Sequence, residues 1–180
     1  KINQSMNKLS IVIPCYNEEK NIDPLFKKIE ELINQTTQQI ENLQNAAKKG
    51  EKDTVKNLID SGVHVNAVDE NGMTALHHPA RSGCTDSVGV LSDSKADVNA
   101  SDDDGRTALM MASGQGHREV VEMLVGKGAS MEVQDKDGGT ALILASQEGH
   151  GAVVQALLAR GADVAQKNRA SSAASRGVHS

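Results

Sequence analysis

One stretch of this sequence repeats itself at a fixed spacing, and that repetition narrows the possible folds more than any other feature. Gly72, Gly105 and Gly138 recur every 33 residues, and each introduces the same tripeptide: Thr74-Ala75-Leu76, Thr107-Ala108-Leu109 and Thr140-Ala141-Leu142. An Asp stands three residues before each glycine (Asp69, Asp102, Asp135), a second glycine eleven after it (Gly83, Gly116, Gly149), and a Leu nineteen after it (Leu91, Leu124, Leu157). A period of this size belongs to stacked arrays, in which a unit cannot bury its own apolar face and needs its neighbours to do so.

Each unit reads as a projecting turn followed by two short helices. In the third copy, Leu142, Leu144 and Ala145 fall on a first helix that breaks at Gly149. Val153, Val154, Leu157 and Leu158 then follow at the spacing of an apolar helical stripe. Gly161 is placed to end that helix in the left-handed conformation, and Thr140 to cap the first one. The Asp-x-x-Gly ahead of the cap is turn chemistry.

The pattern D-x-x-G-x-T-A-L, then Gly116-His117 and Gly149-His150, then V-V-x-x-L and G-A-D/S-V, resembles the ankyrin repeat over about Ile40 to Lys167. The resemblance implies a mainly α fold, an ankyrin-repeat solenoid of four units: a capping unit 36–68, then 69–101, 102–134 and 135–167. Ala46-Ala47, Gly50, Val55, Leu58-Ile59, Gly62 and Val65-Asn66-Ala67 carry the cap, which lacks the Thr-Ala-Leu entry. It also implies a non-catalytic protein-interaction module. Three departures gather in unit 69–101: Pro79 in its first helix, Gly89, Ser92 and Asp93 in its second, and Lys95 where the other units have glycine. A proline beyond the first turn costs about 3 kcal/mol, so this unit is expected to be the weakest.

Residues 1–35 are a different text. Leu9-Ser10-Ile11-Val12-Ile13-Pro14 predicts a short buried strand, and Asn21-Ile22-Asp23-Pro24 opens a helix carrying Leu25, Phe26, Ile29, Leu32 and Ile33 at helical spacing. LSIVIPCYNEEKNI resembles the opening of inverting GT-A-fold nucleotide-sugar glycosyltransferases. That resemblance implies nucleotide contacts from Pro14, Tyr16, Asn17 and Glu18, and supplies the rival reading, a glycosyltransferase remnant. The further strands, the metal-binding Asp-x-Asp and the base of such an enzyme have no counterpart after Gln39. Met6 opens this text as a start codon would, so the chain reads as a fragment or a fusion.

No catalytic set stands out. Asp102-Asp103-Asp104 imitates an Asp-x-Asp, but Asp102 is the turn residue of its unit and the other two are finger-tip positions. His77 and His78 are adjacent, hence about 100° apart on a helix, and His117 and His150 sit at the Gly-His turn, where a local hydrogen-bonding role is expected; structural roles are expected for all four. Two distant cysteines, Cys15 and Cys84, form no metal or redox motif. The expectation is therefore no metal and no cofactor. The absence of a membrane-length apolar run or a signal h-region predicts a cytoplasmic protein without a membrane partner. Residues 168–180, rich in small polar side chains, are expected to be a disordered tail.

Charge decides the partner class. The formal charge of −5 comes from beyond residue 35, and its acids collect on the turn fingers, which points to a protein partner with a basic surface and away from nucleic acid. The expected contact residues are Glu70, Asn71, Met73, Asp103, Asp104, Arg106, Lys136 and Asp137 on the fingers, with Arg81, Ser82, Met110, Met111, Gln115, Gln147 and Glu148 behind them. Only 1% of the chain is aromatic, so the methionines are expected to supply the apolar contact of a monomeric binder.

Overall fold

The computed structural model describes residues 22–165. The expected strand at Leu9–Ile13, the nucleotide-loop residues Pro14, Tyr16, Asn17 and Glu18, and the tail 168–180 lie outside the described residues. The chain divides into two compact units, Lys1–Gln35 and Thr36–Ser180.

Among the described residues eight helices follow one another: α1 Ile22–Lys49, α2 Lys52–Asp60, α3 His77–Ser82, α4 Thr85–Asp93, α5 Ala108–Gly114, α6 Arg118–Gly126, α7 Ala141–Gln147 and α8 Gly151–Ala159. Among the described residues the only strand-like pairings are isolated bridges, Val68 to Thr74 and Ser101 to Thr107, at the bases of two fingers. Within Thr36–Ser180, α3, α5 and α7 pack in sequence as an inner layer, and α2, α4, α6 and α8 as an outer one.

The 33-residue register becomes columns of buried side chains. Leu91, Leu124 and Leu157 are fully buried, as are Val55, Val88 and Val121, and Val63, Ala96, Ala129 and Ala162 line the far side of the same core. The column is more open at the last described unit: Val154 is half-buried although its equivalents Val121 and Val88 are buried, and Leu158 is 42% exposed.

Local rules explain how each unit starts and stops. The Thr107 and Thr140 hydroxyls accept from the amides of Met110 and Ile143, as N-caps should. The outer helices end at left-handed residues: Gly62, Gly128 and Gly161 at φ 94, 89 and 90°, and Lys95 at φ 64°. A lysine there has a Cβ crowding its carbonyl, at a cost of about 1–2 kcal/mol.

The second unit departs from expectation in an informative way. Pro79 is the third residue of α3, so it lies in the first turn, where its missing N–H removes no helical bond. What the proline does is delay the helix. In α5 and α7 the first residue is the Ala of Thr-Ala-Leu, whereas α3 begins two residues later and Thr74 makes no cap bond to it. The second helix α4 nevertheless forms at full length. Gly89 has room for a Cβ, 3.8 Å from Met123 Sδ, and Ser92 bonds back to the Val88 carbonyl at 2.7 Å. Ser87, where the later units have Val120 and Val153, is fully buried with its Oγ unpaired.

Two predictions follow from these backbone facts. Lys95→Gly combined with Pro79→Ala should raise the urea midpoint by the equivalent of about 1–2 kcal/mol; an unchanged or lower midpoint would show that the unit has adapted to both residues. The second compares Gly116, at φ 78°, with Gly149, at φ 76°. A Cβ at Gly116 would meet His150 Nδ1 at 2.7 Å, while one at Gly149 meets nothing within 4 Å. Gly116→Ala should therefore destabilise clearly more than Gly149→Ala in parallel thermal melts, and equal losses would contradict the packing.

Candidate protein-interaction face

Each finger is built on one aspartate. Asp69 Oδ1 accepts from the amides of Asn71 and Met73 at 2.8 and 2.9 Å. Asp102 Oδ1 does the same for Asp104 and Arg106 at 2.9 and 2.8 Å, and Asp135 Oδ1 for Asp137 and Gly139 at 3.0 and 2.6 Å. The carboxylate thus closes the turn on itself. Neighbouring fingers are then joined through the backbone, Asp103 N–H to Asn71 C=O and Lys136 N–H to Asp104 C=O, both at 3.0 Å.

Asp102 is the most enclosed of the three, with its carboxylate also held by the Arg106 guanidinium at 2.9–3.0 Å. Burial works against its ionisation, but the Arg106 amide, the Arg106 guanidinium and the Asp104 amide outweigh it and hold the carboxyl below its ordinary value. With its lone pairs engaged in this way, Asp102 is a structural residue, and no group of three metal-ligating side chains occurs among the described residues.

Histidines connect the units. The Thr74 amide donates to His77 Nδ1 at 3.0 Å, which puts the ring proton on Nε2, 3.2 Å from the Arg106 carbonyl of the next unit. His117 and His150 were expected to bond locally at their Gly-His turns. Instead, each Nε2–H donates to a carbonyl 36 residues earlier, Arg81 and Gly114, at 3.0 Å. The bond crosses the interface because the ring lies over the positive-φ glycine of the preceding unit. Cys84 occupies the equivalent position in the second unit and faces Gly50.

A further set of links escaped the sequence reading. Asn66 Oδ1 accepts from the Asp97 amide at 2.8 Å, Asn99 Oδ1 from the Ser130 amide at 2.7 Å, and Glu132 Oε1 from the Asp163 amide at 3.0 Å. Their 33-residue spacing was visible, but polar residues after a helix read equally well as solvated loop.

Of the expected contact residues, Glu70, Asn71, Arg81, Ser82, Asp103, Asp104, Arg106, Gln115, Lys136, Asp137, Gln147 and Glu148 are exposed on the fingers and at the ends of the inner helices. Met73, Met110 and Met111 are not. Their exposures are 9, 2 and 9%, which corrects the expectation that they provide the apolar contact. In a chain without Trp and with a single Phe, these long thioethers fill core space that aromatics would otherwise occupy. Arg106 is tied to Asp104 as well as to Asp102, at 2.9 Å.

The profile of the family described as ankyrin repeats matches residues 15–102 and 90–168, with three copies of the repeat. The chain belongs to the ankyrin-repeat family. Ankyrin repeats are generally protein-interaction modules and typically non-catalytic. A search of the curated proteins returns no significant match. The family match does not support the glycosyltransferase-like reading of residues 1–35.

The inter-unit histidine gives this ankyrin array a pH dependence. Burial lowers the His77 pKa from the ordinary 6.5, and burial, opposed by Asp69, lowers that of His78. Near pH 6.5 and below, the unfolded chain binds protons that the folded chain refuses, so stability is full above that pH and declines as pH drops beneath it. Asp102 adds a separate loss as pH falls below 3.8 and through its depressed native value. Urea midpoints should fall between pH 6.5 and 5 in the native chain and fall less in His77→Gln; identical slopes would remove His77 from the account.

Proposed function

We propose that this ankyrin array is a non-catalytic scaffold or adaptor that holds a protein partner bearing a basic surface against its fingers. The observation that carries the reading is a division of labour among the finger acids. Asp69, Asp102 and Asp135 are engaged in closing the turns, whereas Glu70, Asp103 and Asp137 beside them are exposed, with finger-to-finger backbone bonds setting their spacing. A row of carboxylates on a rigid edge favours encounter with an opposite charge. With its methionines buried and no aromatic among the finger residues, the face lacks the large apolar anchors that usually dominate binding energy. Affinity should be modest and salt-sensitive, since exposed charges are screened over about 8 Å at physiological ionic strength.

The test replaces Glu70, Asp103 and Asp137 with Lys together, leaving the Asp104–Arg106 pair intact. Proteins retained by the full-length native chain at low salt should be lost by the triple variant, which should keep its helical circular dichroism. Equal retention by both would place the interface elsewhere.

A further inference from the structure

The boundaries between units are not equally bonded. Between the second and third units the His117 ring reaches the Arg81 carbonyl, Asn99 Oδ1 takes the Ser130 amide, and the Asp103 amide meets the Asn71 carbonyl. His77 adds its bond to the Arg106 carbonyl. Between the third and fourth units, His150, Glu132 and the Lys136 amide repeat the first three links.

Between residues 36–68 and the second unit only one of the three links is kept. Cys84 stands where the ring would be, its Sγ packed over Gly50 as the later rings pack over Gly83 and Gly116. The carbonyl such a ring would reach is that of Lys48, 36 residues earlier, and a thiol is a weak donor. The finger bond is also lost, because residues 36–40, which align with the finger 69–73, are helical in α1. Asn66 Oδ1 still takes the Asp97 amide, but Asn66 lies in the connection after α2, at a pivot and not on the face. On the face itself, Gln44 Nε2 donates to the Met73 carbonyl at 3.3 Å, and Lys52 and Asp86 form an exposed pair at 3.9 Å that contributes little. The apolar seal is thinner too. Val55 is the one buried residue of α2, whereas α4, α6 and α8 each bury three. Leu58 is half-buried where Leu91, Leu124 and Leu157 are fully buried.

We propose that residues 36–68 form a lid that swings from the second unit as one piece, about the connection 62–67, while the three later units stay stacked. An array held by nearest-neighbour contacts opens first at its weakest boundary. Opening uncovers the Cys84 thiol and the side of α4 that packs on α2. It leaves the bonds between the three fingers in place, so it is independent of the finger face.

Hydrogen exchange of the full-length native chain, read peptide by peptide in a mass spectrometer, tests this. Amides of α2 and of residues 43–49 should exchange together, with one urea dependence shallower than that of global unfolding. Their protection should be lower by about tenfold or more than that of α7 and α8, which keep the His150 bond. The backbone at Cys84, φ −81° and ψ 83°, matches that at His117, φ −81° and ψ 75°, so Cys84→His places a ring over Gly50. That variant should slow exchange of α2 about tenfold and leave α5 and α6 unchanged, whereas Cys84→Ala should not slow it. The reverse change reads the next boundary: His117→Cys should speed exchange of α3 and α4 and leave that of α2 as it is. Amides of α2 as protected as those of α7 and α8, or following the urea dependence of global unfolding, overturn the lid, as does α2 exchange that accelerates with α3 and α4 in His117→Cys. Native-like exchange of α2 in Cys84→His overturns the missing ring as its cause.

Discussion

A pair of helices as short as α5 and α6, seven and nine residues, falls well below the length at which a helix holds itself together in water. What keeps these pairs folded is the contact each makes with the next. Buried Leu and Val columns supply the apolar part of that contact, and three polar links fix its register. Those links are an imidazole N–H on a carbonyl of the preceding unit, an Asn or Glu oxygen on an amide of the following unit, and one backbone bond from finger to finger. Each link requires its two residues to stand at a fixed offset, so a shift of one residue in any unit breaks all of them at once. The strict 33-residue period is the consequence in sequence of this constraint in space.

The second unit shows how far a member of such a row can depart from the rule and still stack. Its first helix starts late because of Pro79, its second ends at a left-handed lysine, Ser87 leaves a hydroxyl unpaired in the core, and Cys84 stands where the later units have a bridging histidine. Ser87 and Cys84 alter the boundary itself, but the main columns through the unit are kept. Val88 and Leu91 remain fully buried, and Asn66 and Asn99 bond across both of its boundaries. His77, specific to this unit, adds its own bond to the Arg106 carbonyl. Stacking tolerates poor local propensity where the interface residues are kept.

The same geometry sorts the surface. An aspartate at the base of each finger is drawn into its own turn, and the acids beside it are turned outward, so residues of one chemical type divide into structural and surface groups within two or three positions. Arg106 belongs to both groups, because its single positive charge is shared between Asp102 and Asp104. The outward charge of the face therefore rests on Glu70, Asp103 and Asp137 more than on the count of acids.

The repeat period, the helix pairs and the glycine stops were legible in the residues, because each follows from short-range rules: an αL position excludes most side chains, a cap needs a hydroxyl, and an apolar stripe needs a neighbour. Thr107 and Thr140 cap their helices, and Lys95 is forced to positive φ for that reason. What the sequence left open was decided by packing across a unit boundary. Met73, Met110 and Met111 looked like surface contacts, since a methionine near a helix start fits a core and a groove equally well, and only the stacked units show that they are enclosed. His117 and His150 looked local, because their partners lie 36 residues away in sequence and become neighbours only when one unit stacks on the next. The sequence by itself determined what each unit is; tertiary contact decided which of its side chains were left for anything else, because burial depends on the neighbouring unit and not on the residue.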